Sequence, residues 1–356
     1  MTMTTVKDVV AAMLCACGVP KFGRRRRSDR LAILMFHGVT DEPLTPPCDW
    51  VIDKAGLRRN LEYVHRHFTV LPLDEALDRL RDGTLPPRAA ALTFDDGTRN
   101  LLTNAAPVLR ELRMPAAVFL ATGPMGTPEL LWPDRLWQAF AHTGEPEIDL
   151  TALGLGRCSL REDADRVRVR DAVTDLLKRV PDARRLNAVE TIATALGYTA
   201  GPTAGPFQML SWDEACTLAA DGLVTLYPHT VTHPVLSRCD DAKVDHEISE
   251  SCRTVEINTG RAPTVFAYPN GGPHDYDERA KEALRRNGIR WAVSTTNGYA
   301  GPESDPLALP RLGFAAHQSF SVFKLKVSGF AARPRALAAA HSAGSVREGV
   351  GSDVGV

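Results

Sequence analysis

Ala89–Gly97, AAALTFDDG, is an unbroken apolar run that stops abruptly on two carboxylates and a glycine. A short buried strand has this pattern: apolar on both faces because both are covered, with its polar residues at the carboxyl end. In parallel α/β sheets and barrels, that end is where ligands and chemistry collect. Asp-Gly by itself also closes ordinary hairpins. A second run, Leu223–His233, LVTLYPHTVTH, separates the two readings, being again apolar and ending on two histidines four apart. Imidazoles at that spacing can face the same way on a helical turn, and imidazole is the commonest side-chain metal ligand. An aspartate with His229 and His233 makes three protein ligands and leaves a coordination position for water.

TFDDG followed by HTVTH resembles the polysaccharide deacetylase family, the NodB-homology domain of carbohydrate esterase family 4. ILMFHGV at Ile33–Val39, APVLRELRMPAAVFLATG at Ala106–Gly123 and LSWDEACTLAADG at Leu210–Gly222 are similar to family segments in the expected order. So are FAYPNG at Phe266–Gly271 and LPRLGF at Leu309–Phe314, and Trp132–Trp137, WPDRLW, is similar to a segment of one branch. The resemblance implies an α/β fold, a distorted (β/α) barrel. It also implies a hydrolase that removes N-acetyl groups from an N-acetylhexosamine glycan or glycoconjugate. On this resemblance Asp96, His229 and His233 bind a divalent metal, most plausibly zinc, and Asp95 is the base that takes a proton from water at that metal. Tyr268, Pro269, Asn270 and Gly271 are the expected substrate contacts.

Three features depart from the family pattern. FAYPNGG has no arginine to orient the base, Tyr227-Pro228 replaces the glycine and serine often found before the first histidine, and no LxxH follows to supply a general acid. His317 is the expected acid, with His274 as the other choice. Thr230 follows the first histidine where HExxH proteases carry a glutamate, so it cannot serve as base. Other readings of the same residues are an amidohydrolase on a small N-acyl metabolite, a non-catalytic binding protein on a decayed fold, and a two-histidine, one-carboxylate iron site.

The 356 residues are enough for a sizeable core, and 44% hydrophobic with 24% charged residues is ordinary for a globular chain. Lys+Arg 42 against Asp+Glu 43 gives a net charge of -1, so nothing global argues for nucleic acid. Seven cysteines without regular spacing suggest reduced thiols and a cytoplasmic setting.

Strands are expected at Leu31–His37, 89–94, Ala116–Ala121, Leu223–Tyr227, Val265–Tyr268, Trp291–Ser294 and Leu309–Phe314, with helices between them. His37, at the end of the first strand, either faces the site or is a satisfied structural histidine. Residues 127–209 are expected to be a helical insertion with its charged faces outward. Within it, Trp132 and Trp137 are either core or a sugar-stacking platform. Residues 1–30 combine an apolar stretch, Val9–Val19, with Arg24–Arg27. That pairing leaves two readings: a peripheral contact with anionic lipid on the inner face of the membrane, or a solvated, partly ordered leader. The deacetylase barrel is expected over 31–330 and a disordered tail over 331–356.

Overall fold

A computed structural model of the chain describes residues 5–27, 29–198 and 205–330; the expected tail at 331–356 lies outside them. Seven strands form the barrel wall: β1 (Ala32–Phe36), β2 (Ala89–Phe94), β3 (Ala116–Leu120), β4 (Val224–Pro228), β5 (Val265–Ala267), β6 (Trp291–Asn297) and β7 (Leu309–Gly313). All the pairings are parallel, in the order β5-β6-β7-β1-β2-β3-β4. Strands β4 and β5 approach one another without pairing among the described residues, so the barrel is nearly closed. Thr69–Val70 adds a short parallel strand beside β2.

The helices are α1 (Val6–Ala16), α2 (Val19–Arg26), α3 (Lys54–His67), α4 (Leu73–Arg81), α5 (Ala106–Leu112), α6 (Trp132–His142), α7 (Asp163–Leu177), α8 (Asp182–Ala195), α9 (Trp212–Ala219), α10 (Asp241–Thr259), α11 (Glu278–Arg286) and α12 (Phe320–Val327). One π-helical turn, Leu101–Ala105, leads into α5. α9 begins on a capping box in which Ser211 and Glu214 satisfy each other's free backbone N–H groups.

Alternation along the strands divides the core. Leu34, Leu92 and Phe94 pack outward against Leu57, Leu61 and Val64 of α3 and Val108 and Leu109 of α5. Ile33, Ala89, Ala91, Ala117, Phe119, Tyr227 and Val293 fill the interior with Leu73, Ala76, Leu77 and Leu80 of α4. Small residues at Ala89 and Ala91 leave room for the larger Phe119 and Tyr227 beside them. The period-two direction that turns Ala89, Ala91 and Thr93 inward carries on to Asp95.

Between β3 and β4, residues 127–209 carry α6, α7 and α8 and a two-stranded antiparallel hairpin, Glu147–Leu150 with Gly156–Ser159. Trp132, Leu136 and Phe140 of α6 share a small core with Val173 of α7 and Ile192 of α8.

Candidate metal centre

Asp95 and Asp96 sit where β2 ends, and both are buried. Asp96 adopts φ 74°, followed by Gly97 at φ 89°. A left-handed turn there aims two consecutive carboxylates differently, at a local strain typical of functional sites. The histidines arrive at the end of β4. The helical turn that the spacing allows is not formed: 229–233 is irregular, with Thr230 at φ 68° and His233 at φ 57°. The left-handed residues, rather than a helix, bring the rings together.

Glu247 of α10, itself buried, holds that loop. Its carboxylate accepts the N–H groups of Val231 and Thr232, each at 2.8 Å, and the Thr232 hydroxyl. The Thr230 hydroxyl accepts the His233 N–H at 3.1 Å, and Trp132 donates its indole N–H to the His233 carbonyl at 3.1 Å. Thus Trp132 braces the loop from inside the protein. Trp137 is equally buried and bonds the Pro47 carbonyl, so neither is an open stacking platform.

Asp96 Oδ1 lies 3.6 Å from His229 Nε2 and 3.4 Å from His233 Nε2. Charge-assisted hydrogen bonds would be near 2.8 Å. Metal–ligand bonds of about 2.0–2.2 Å at tetrahedral angles put ligand atoms roughly 3.3–3.6 Å apart. The three donor atoms are mutually within 4.8 Å, and Asp96 Oδ1 is buried without a hydrogen-bond partner. His229 Nδ1 is 2.7 Å from the Ala267 carbonyl, so Nδ1–H donates there and Nε2 keeps its lone pair facing Asp96. Burial pushes the His233 imidazole down despite Asp96, with His229 and His37 acting in the same direction as burial. A neutral imidazole is the metal-binding form. These residues fit a divalent cation.

Asp95 turns the other way. Arg311 of β7 donates Nη1 to Oδ1 and Nη2 to Oδ2, both at 2.7 Å. The guanidinium also donates to the Ser294 carbonyl and the Thr93 hydroxyl, and it is fully buried. Burial opposes the Asp95 charge, but Arg311, His229 and His37 outweigh it, holding the carboxyl below the usual range. The arginine missing from FAYPNGG is therefore supplied by the LPRLGF strand. One cation inside an otherwise apolar strand end was the available signal, since a buried arginine needs a carboxylate.

A cavity of about 170 Å³ opens over these groups. His37 lines it, with Nε2 3.9 Å from Asp95 Oδ2. His317 does not: it is 61% exposed, pairs with Asp49 at 2.8 Å and lines a separate surface depression. His274 is also exposed. Of the four expected substrate contacts, Asn270 reaches the cavity wall. Tyr268 is buried, stacks on Tyr276 at 3.8 Å and donates its hydroxyl to the Leu307 carbonyl, which is a structural role. Pro269 and Gly271 are buried beside it, with Gly271 at φ 68° and its N–H on the Pro269 carbonyl.

The opposite wall comes from the insertion. Asp134 of α6 and Thr174 and Lys178, on and just after α7, line the cavity, so these helices do not simply present charge to the outside. Asp134 accepts the Trp50 indole N–H at 2.9 Å, and the Arg170 guanidinium lies over the Trp50 ring at 5.6 Å. Burial and the nearby Asp96 charge push the Asp134 carboxyl well above the usual range. In the sequence, Asp134 is hidden inside WPDRLW, where nothing separates a site carboxylate from an exposed one on the first turn of a helix.

A protein-family model described as polysaccharide deacetylase matches residues 82–148 and 186–292. The gap between the two matched parts falls within the insertion. Among curated proteins no match is found. The solved structures that resemble the chain include the Streptococcus pyogenes deacetylase PplD in complex with acetate, at 16% identity and TM-score 0.54, covering 82% of this chain and 94% of that one. IcaB from Ammonifex degensii matches at 16% identity and TM-score 0.54, covering 85% and 98%. A de-N-acetylase from Aggregatibacter actinomycetemcomitans matches at 14% identity and TM-score 0.53, covering 84% and 100%. At such identities the structural likeness speaks for the barrel fold. Taken with the family match across the strands that carry both motifs, it leads to one assignment: the chain belongs to the polysaccharide deacetylase family and is a hydrolase of carbohydrate N-acetyl groups.

Proposed function

We propose that the protein is a divalent-metal-dependent N-deacetylase acting on an N-acetylhexosamine glycan or glycoconjugate, with zinc as the metal that suits its donors. The observation that carries this reading is the buried Asp96–His229–His233 set beside a separately anchored carboxylate, Asp95, in one cavity. Asp96, His229 and His233 would hold a divalent cation, which when bound would supply Lewis acidity towards an acetamide carbonyl and a water molecule. Asp95, kept ionised and oriented by Arg311, accepts the proton of the attacking water. His37, the cavity-lining histidine beside Asp95, delivers a proton to the departing nitrogen, leaving acetate and a free amine. Trp50, half-buried in the cavity wall with its ring fixed by Asp134 and Arg170, offers an apolar face to a sugar ring, and Asn270 and Thr295 offer polar groups to its substituents.

Acetate release from a panel of N-acetylhexosamine oligomers by zinc-loaded protein tests the reading. Asp95→Asn and His37→Ala should each lower turnover by roughly 10²–10⁴-fold. His317→Ala should stay close to the parent. A loss confined to His317→Ala would return the acid role to that residue, and no release from any acetylated sugar would refute the proposed function.

A further inference from the structure

The first helix is turned inside out. On α1, Val6, Val9, Val10, Met13 and Leu14 recur at the spacing of one helical face, yet that face points to solvent. Val6 is 82% and Met13 62% exposed. The opposite side holds the helix to the protein: Ala11 is buried, and the Cys15 thiol donates to the Ser321 carbonyl of α12 at 3.5 Å. Phe22 on α2, the helix packed against α1, is a further exposed apolar side chain at 56%, and Arg26 lies over its ring at 5.0 Å. The same short helix faces a cleft of about 390 Å³ lined by Lys21, Arg24, Arg25, His67 and Arg88. No carboxylate lines that cleft, and Lys21, Arg25 and Arg88 pair with none among the described residues. A row of exposed apolar side chains beside unneutralised cations matches the interfacial layer of a bilayer, where apolar groups enter the acyl boundary and cations meet headgroups.

We infer that α1 and α2 form a peripheral docking surface for an anionic phospholipid bilayer, with the apolar stripe of α1 embedded and the basic cleft of α2 taking lipid phosphates. At 11 residues, α1 is about 16 Å long, short of the roughly 30 Å hydrocarbon core, so it lies on the bilayer. No helix among the described residues is long and apolar enough to cross a membrane. A second copy of the chain is a poorer occupant, because six apolar side chains fall well below the roughly 20–30 residues a side of a stable interface.

Flotation of the full-length protein with phosphatidylcholine vesicles, with and without phosphatidylglycerol, tests this. The protein should float with the anionic vesicles and remain behind with the neutral ones, and added salt should weaken the binding. Val10→Asp with Met13→Asp, and separately Lys21→Glu with Arg25→Glu, should each lower the bound fraction by roughly tenfold or more. All four residues lie away from the cavity, so melting temperature and acetate release from a soluble substrate should not change. Failure to float with anionic vesicles, binding unaffected by either pair, or self-association abolished by the Val10/Met13 pair without any vesicle binding would overturn the inference.

Discussion

Arg311 shows how one residue can set the state of another. Its bidentate bonds hold Asp95 ionised in a place where burial alone would neutralise it. Because the folded pKa of Asp95 is lowered, the stabilisation this pairing gives is complete above the ordinary carboxylate pKa and is lost as pH falls through the lower folded value. Arg311→Met leaves a buried carboxylate unpaired, at a cost of about 3–5 kcal/mol. Burial then raises the Asp95 pKa, so the acid limb of kcat/KM should move to higher pH, and Arg311→Lys should partly restore it. A pH–rate profile superimposable on the parent's would remove Arg311 as the residue that positions the base. Asp95, Asp96, His229 and His233 were legible in the sequence because each pair ends an apolar run. Arg311 carried one signal, a lone cation in an apolar strand end, but not which carboxylate it meets, and Asp134 carried none, since both roles depend on which strand or helix closes over them.

At the scale of elements, the 229–233 loop depends on α10. Three donors of the loop converge on the Glu247 carboxylate, which fixes the left-handed turn that aligns His229 with His233. Glu247→Ala should lower metal affinity by roughly 10–100-fold, as losses in supporting shells do, while leaving the ligands themselves intact. Titration with a chelator-buffered zinc series measures this, and unchanged affinity would mean that the loop holds its shape without α10. The histidine spacing permitted a helical turn; backbone strain and a glutamate from a distant helix decided otherwise. The strands were legible because parallel strands buried on both faces are continuous apolar runs, as β2 and β3 are. The short hairpin at 147–159 was not, because its strands are short and mixed, with only Ile148 and Leu150 buried on one face, and lack any such run.

For the whole molecule, the barrel collects β2, β4 and β7 at one end and so joins residues more than two hundred positions apart. The insertion then folds back to add Asp134, Thr174 and Lys178 as a wall. The barrel type followed from repeated strand–helix units and the family resemblance, whereas the return of the insertion depends on packing among α6, α7 and α8 that no local pattern announces. The central claim is that Asp96, His229 and His233 hold one divalent metal, and metal analysis of the purified, zinc-equilibrated protein tests it most directly. The parent should carry about one ion per chain, and the His229→Ala, His233→Ala double variant should carry none while retaining its fold by circular dichroism. Equal metal content in the parent and the double variant would contradict the account.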